Sequence, residues 1–292
     1  HPSPSNPPLD QSCISQQNFG AYREPDQRVT TSSNAFLPRA SLIIGPFAGV
    51  GASLSAGSGV RSIDPSYVTQ DAKTPFASIQ AFEAGLSYER RLGPQTELAV
   101  RSTGFETRVD RDLIFSQTAG RNQLAGATTR IGVANSARLT GPAYDVAANL
   151  TYVKASFDDT HLLIPYVPDL VLRGDAAAFG DLPWSWLEPL GSPVRATLAA
   201  GVTYVGPRPL PYGSRSDTIF TIDGNLTLGW RPWTLGLSVQ NLLDTRYRLG
   251  EFNYASDFHS EPFPTLVPVR HFSAGAPRTF LFSLAFNFGG GK

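Results

Sequence analysis

The residues able to do chemistry are scattered along the chain. The four histidines, His1, His161, His259 and His271, have no HxH or HxxxH spacing that would put two imidazoles on one metal. His259 and His271 share a long stretch with Asp257 and Glu261, a set that could touch a metal or a metal chelate. Loop histidines are ordinarily solvated, however, and the sequence assigns no metal site. Serine, histidine and aspartate are all present without an ordered motif around a nucleophile, so no catalytic residue, no cofactor and no enzyme is expected. Cys13 is the single cysteine and cannot form an internal disulfide; it is either a free loop thiol or a bridge to another chain. Lysine and arginine total 24, as do aspartate and glutamate, so no net field points to nucleic acid.

The elements behind these residues are more informative. Only 16% of the 292 residues are charged, against about 25% in ordinary soluble domains. No run approaches the roughly 18–20 apolar residues of a membrane-crossing helix. The start, His1-Pro2-Ser3-Pro4, is polar and unlike a signal peptide, and methionine is absent, so a mature product or a piece of a longer protein is expected. Residues 1–34 read as a polar external loop or a frayed end, 35–288 as strands with long loops, and 289–292 as a short tail. The expected strands lie near 35–45, 49–60, 79–92, 96–108, 127–140, 143–157, 168–181, 193–205, 217–230, 233–242 and 278–288. Most run longer than the roughly 5–6 residues of a soluble strand and suit a tilted strand that crosses a bilayer in at least ~9–11.

Alternation gives each strand two faces. In the last, Phe280, Phe282, Leu284, Phe286 and Phe288 oppose Thr279, Leu281, Ser283, Ala285 and Asn287. Small polar residues opposite an oily face suit a wall between lipid and a watery lumen. Aromatics bracket the apolar faces, as Phe220 and Trp230 do, and tight turns at 45–47, 92–94, 141–142 and 231–232 alternate with long links at 61–78, 109–126 and 243–277. Pro183 to Pro193, with Trp184 and Trp186, reads as a longer interfacial turn on the short side. Short turns face the periplasm and long loops the exterior, so the first and last strands both run inward. The expected fold is all-β, a transmembrane antiparallel β-barrel wall of about eleven strands that does not close by itself, unless residues 1–34 hold a twelfth.

Val239-Gln240-Asn241-Leu242-Leu243-Asp244 with Tyr247, then Gly275-Ala276-Pro277-Arg278-Thr279 before the aromatic strand, resemble the closing motifs of TonB-dependent outer-membrane receptors. Phe82-Glu83-Ala84-Gly85-Leu86 and Ile164-Pro165-Tyr166-Val167-Pro168 are weaker echoes. The resemblance implies the C-terminal half of a barrel of 22 strands, without its plug, in the bacterial outer membrane. It implies a role in uptake of a scarce nutrient such as a siderophore or other metal chelate, a vitamin, an oligosaccharide or a peptide. The partners implied are outer-membrane lipid, an N-terminal polypeptide carrying the plug and first half-barrel, and the energy-coupling TonB complex, reached through the plug. Cys13 could tether the two polypeptides. The alternatives are a passive porin-like barrel of about twelve strands and an outer-membrane hydrolase.

Ligand contacts of such a receptor are expected from external loops: Arg121 and Asn122 in one, and Phe252, Tyr254, Phe258, His259 and His271 in the last. Packing of these loop aromatics on one another is an equally good reading. Glu83, Arg101, Asp145, Arg195 and Asp223 are expected to line the lumen as a charge network or to touch a plug. The resemblance makes Phe280, Phe282, Phe286 and Phe288 the assembly signal, although Gly289-Gly290-Gly291-Lys292 follow it.

Overall fold

A computed structural model describes residues 30–62, 76–116, 121–182, 193–256 and 267–288. The strands are β1 (Arg39–Phe47), β2 (Val50–Ser62), β3 (Phe76–Gly93), β4 (Thr96–Val109), β5 (Leu113–Ser116), β6 (Arg121–Leu124), β7 (Thr128–Thr140), β8 (Tyr144–Phe157), β9 (Leu170–Asp181), β10 (Arg195–Val205), β11 (Ile219–Trp230), β12 (Trp233–Gln240), β13 (Arg248–Ala255), β14 (Pro268–Ala274) and β15 (Thr279–Phe286). The chain divides into two compact units, residues 1–35 with 61–77 and residues 36–60 with 78–292; apart from the tips of β2 and β3, the sheet belongs to the second.

Eleven strands form one sheet in the order β1-β2-β3-β4-β7-β8-β9-β10-β11-β12-β15. All eleven expected strands are present; the first begins at Arg39 rather than near 35. The long links after β4 and β12 differ from expectation, because each folds back as a hairpin, β5–β6 and β13–β14. The linker of Trp184 and Trp186, the segment 1–29 with Cys13, and the tail 289–292 lie outside the described residues.

Register converts the alternation into two continuous faces. Phe282 lies opposite Leu237, Leu237 opposite Leu226, Leu226 opposite Leu198, and Leu198 opposite Ala178. One residue along, Ser283, Gly236, Thr227 and Thr197 form the matching row on the other side. The apolar face is open: Leu86 is 63% exposed and Leu198 62%, both on strands with a neighbour on each side. Residues this oily and this exposed over a whole sheet face need a nonaqueous neighbour. Aromatics close the face at both ends. Tyr204 and Phe220 pair at the end nearer the long links, and Trp230, Trp233 and Phe286 align at the other. The Trp233 and Phe286 rings meet edge to face at 4.6 Å, and Phe286 meets Phe288 in the same way at 4.6 Å.

The short turns are built for their sharpness. Between β1 and β2, Ala48 (φ 50°) and Gly49 (φ 87°) are both left-handed, the conformation a two-residue hairpin requires. A Cβ on Gly49 would also come within 2.3 Å of the Glu89 carbonyl oxygen, so only glycine fits. Since the eleven strands alternate in direction, edge strands β1 and β15 run the same way, and among the described residues each has one strand neighbour.

This face assignment predicts an asymmetry. Leu226→Arg, midway along the apolar face, costs about 2–4 kcal/mol of stability in the assembled protein, whereas Thr227→Arg on the other face costs far less. Urea midpoints followed by heat-modifiable mobility measure both; equal losses would reverse the assignment.

Candidate functional site

Two sets of side chains are candidates for function. The first lines the polar face. Arg138 of β7 forms a two-pronged pair with Asp145 of β8, at 3.1 and 2.6 Å. Arg173 of β9 donates to Asp175 (2.9 Å), to the Thr203 hydroxyl (2.7 Å) and to Asp223 (3.5 Å), which also accepts the Asn241 amide at 3.0 Å. These groups border a hollow of about 400 Å³ floored by Ala177, Ala199 and Gly201. The small floor has a steric cause: a Cβ on Gly201 would sit 2.2 Å from the Arg173 guanidinium. Of the other expected lumen residues, Glu83 accepts from the Ser55 hydroxyl at 3.4 Å, Arg101 lies opposite Ser87 and Ser136, and Arg195 opposite Asp181. Arg138 with Asp145, and Arg173 with Asp175 and Asp223, are matched charges, which suits a fixed electrostatic wall better than a catalytic centre.

The second set is formed by the long links. Phe115 of β5, Tyr166 from the link after β8 and Phe252 of β13 come from three links and pack ring to ring at 6.3, 6.1 and 5.6 Å. Burial pushes the Tyr166 phenol up to about 12, so it is a neutral hydroxyl throughout the physiological range. Its backbone is left-handed (φ 69°), a strained conformation for a bulky residue, and its N–H donates to the Pro209 carbonyl at 2.8 Å. Beside this cluster, Tyr254 and His271 stack at 4.0 Å with an interplanar angle of 15°, and His271 Nε2 is buried without a hydrogen-bond partner. Phe252 lies directly across the ladder from His271.

The opposite face of β13 is polar and anchored. The Glu251 side chain is fully buried; it accepts from Arg248 (3.0 Å), Arg270 (3.4 Å) and the Asp217 amide (2.5 Å). Asn253 donates to the Pro211 carbonyl (2.9 Å) and the Ser214 hydroxyl (3.1 Å). A buried charge is tolerated only when paired in this way, so the hairpin is held to the link after β10 by polar contacts and to two other links by aromatic ones. At the base of β5, buried Asp112 accepts from the Thr128 hydroxyl and the Leu113 amide, both at 2.9 Å, and pairs with Arg130. Burial acts to raise the Asp112 pKa; the Arg130 hydrogen bond and charge, with Thr128 and Leu113, outweigh it and hold the carboxyl below its ordinary value.

The structure thus brings Phe252, Tyr254 and His271 together. Arg121 and Asn122 lie on β6, where Asn122 is the cross-strand partner of Phe115. Phe258 and His259 lie outside the described residues. Among the described residues no group of three or more histidine, cysteine, aspartate or glutamate side chains is placed to hold a metal ion. Sequence reasoning missed Phe115, Tyr166, Glu251 and Asp112. Glu251 carried a signal: Glu251 and Asn253 alternate with Phe252 and Tyr254 as a strand's two faces do.

A membrane wall with girdled aromatics, a charge-paired lumen face and ordered loops at one end is the wall of a transmembrane β-barrel. The family model described as TonB dependent receptor-like, beta-barrel matches residues 11–242, and the chain belongs to that family. Members are receptors and transporters of the bacterial outer membrane, and in general have a plug domain and a TonB partner. Solved structures agree on the fold. The ferric-catecholate import receptor Fiu from E. coli K12, in its closed form, aligns with a TM-score of 0.56 at 16% identity, over 84% of this chain and 34% of that one. The ferric yersiniabactin uptake receptor FyuA from Yersinia pestis gives 0.61 at 17%, over 87% and 37%; P. aeruginosa FpvA bound to pyoverdines gives 0.62 at 16%, over 87% and 33%. The chain therefore spans about a third of the length of these structures. No curated protein sequence matches it.

The Asp112 pair gives a pH prediction. A carboxyl with a depressed folded pKa stabilises the fold above its unfolded value, about 3.9, and loses that contribution as pH falls through the folded value. Exchange protection of the Ala125 amide, which donates to the Asp112 carbonyl at 2.7 Å, should be equal at pH 8 and pH 5 after correction for intrinsic rates. It should drop below about pH 4, and in Asp112→Asn it should be low throughout.

Proposed function

We propose that this chain is the closing half of the barrel of an outer-membrane importer that takes up a scarce nutrient, a metal chelate being the favoured class. The observation that carries the reading is the eleven-stranded sheet whose edges, β1 and β15, run in the same direction. Backbone groups left unpaired in hydrocarbon cost several kcal/mol each, and antiparallel closure between two parallel edges needs an odd number of further strands. A polypeptide with the plug and the first half-barrel meets that need; Cys13 offers a thiol to tether it, and the plug offers the contact with TonB. The ligand platform is the aromatic face of the β13–β14 hairpin, Phe252, Tyr254 and His271, with Arg121 and Asn122 on β6, the strand paired with the β5 of Phe115, and Phe258 and His259 on the same link as the hairpin. Rings supply contact area at little conformational cost.

The test is uptake of labelled ferric chelates by cells lacking the protein, under iron limitation. Uptake of at least one chelate falls to a small fraction of the wild-type rate. The wild-type gene restores it, Phe252→Ala with Tyr254→Ala restores it poorly, and dissipating the proton gradient abolishes it. Unchanged uptake of every chelate, together with ion conduction by the purified protein alone, would replace this reading with a passive pore.

A further inference from the structure

The lipid-facing side of β1–β4 and β7 is not flat. Ala84 lies opposite Gly104 and Leu86 opposite Ser102, while larger side chains, Leu42 opposite Leu54 and Phe82 near Ile131, stand around them. The small residues leave two hollows of about 690 and 360 Å³ that share Leu42, Leu54, Ala84 and Gly104, so they form one groove. Its outer end lies at Glu106 and Ile131, and its other end reaches Ile44 and Ala52, beside the short β1–β2 turn. Almost all of its lining side chains on this face are apolar.

Charge is concentrated at the outer end. Glu106, Ile131 and Lys154 form one ladder row across β4, β7 and β8; Arg108, two residues further out, lies opposite Gln80 and Thr129, with Ser156 beyond. Lys154 is exposed, and the Arg108 side chain keeps 59% of its surface open although its Nε is bonded to Glu106. Within these two rows two cations face one carboxylate. The inner row is level with Phe82, which lies opposite Glu106, and one same-face step outward of Tyr152 on β8; both aromatics mark the apolar boundary. Lipid phosphates lie at that height, and cationic side chains beside a bilayer are attracted to anionic headgroups.

We propose that the groove seats the acyl chains of one phosphate-bearing lipid of the outer leaflet, with Arg108 and Lys154 holding its phosphate. Gln80, Thr129 and Ser156 complete the headgroup seat. The guanidinium supplies planar donors for phosphate oxygens, and the flexible ammonium a point charge. The proposal rests on the membrane reading above but not on the transported ligand.

The protein is extracted from its native membrane in mild detergent, washed, and examined by native mass spectrometry with a phosphorus assay. Wild type retains about one phosphorylated, acylated lipid per molecule. Arg108→Glu with Lys154→Glu lowers that at least fivefold, and Gly104→Leu, which fills the groove where the nearest atom to a new Cβ is 3.9 Å away, does the same without touching the charges. Uptake of the transported ligand by Gly104→Leu stays near wild type, which separates this result from failure of the importer reading. Equal lipid retention in wild type and both variants, or a bound second protein in place of lipid, would overturn the proposal. Absence of the protein from the outer-membrane fraction would overturn both readings.

Discussion

In hydrocarbon a peptide group has no water to bond, so each N–H and C=O must find a partner in the protein. That constraint organises the molecule. It draws the strands into one antiparallel sheet, and once the ladder is fixed a residue's parity decides whether its side chain meets lipid or lumen. A slip of one residue would turn Phe282, Leu237, Leu226 and Leu198 inward together. The edges β1 and β15 are where the same constraint is unmet within the described residues, so what lies beside them belongs to the function as much as the loops do.

The loops solve a different problem. They stand beyond the bilayer, where water can satisfy backbone groups, yet the described parts make many contacts with one another. Aromatic packing joins Phe115, Tyr166 and Phe252 from three links, and buried polar contacts at Glu251 and Asn253 fix the hairpin from its other side. The aromatic contacts set a platform; the polar contacts of Glu251 and Asn253 anchor its other side. A receptor loop of this kind is better viewed as a scaffolded surface than as a flexible arm, and left-handed His161, Tyr166 and Tyr212 in the links beside it carry backbone strain.

The wall was legible in the sequence because period-two alternation is a local property that hydrophobic contrast makes visible. Thr221 to Trp230 could be assigned to faces without coordinates. The hairpin β13–β14 was less visible: Arg248 to Ala255 alternates, but counted by twos along the sequence Arg248 falls with Phe252 and Tyr254, and Leu249 with Glu251 and Asn253, so neither set reads as plainly oily. The family motifs turned out to be structural. Asn241, left-handed and buried, bonds Thr245 and the Ala276 carbonyl; Gly275 has no room for a side chain because the Tyr247 ring is 2.3 Å from where a Cβ would be. The two motifs thus dock on each other and start β15 beside β12. The aromatic trio was not legible, since rings separated by some 50 to 140 positions carry no local sign that they meet.

The central claim is that the phenylalanine face of β15 meets lipid and its opposite face meets water. Single cysteines at Leu281, Phe282, Ser283, Leu284 and Ala285, introduced with Cys13→Ser and probed in native outer membranes with a membrane-impermeant maleimide, test it directly. Labelling should alternate, strong at 281, 283 and 285 and weak at 282 and 284. Uniform labelling along the strand, or strong labelling at 282 and 284, would contradict it.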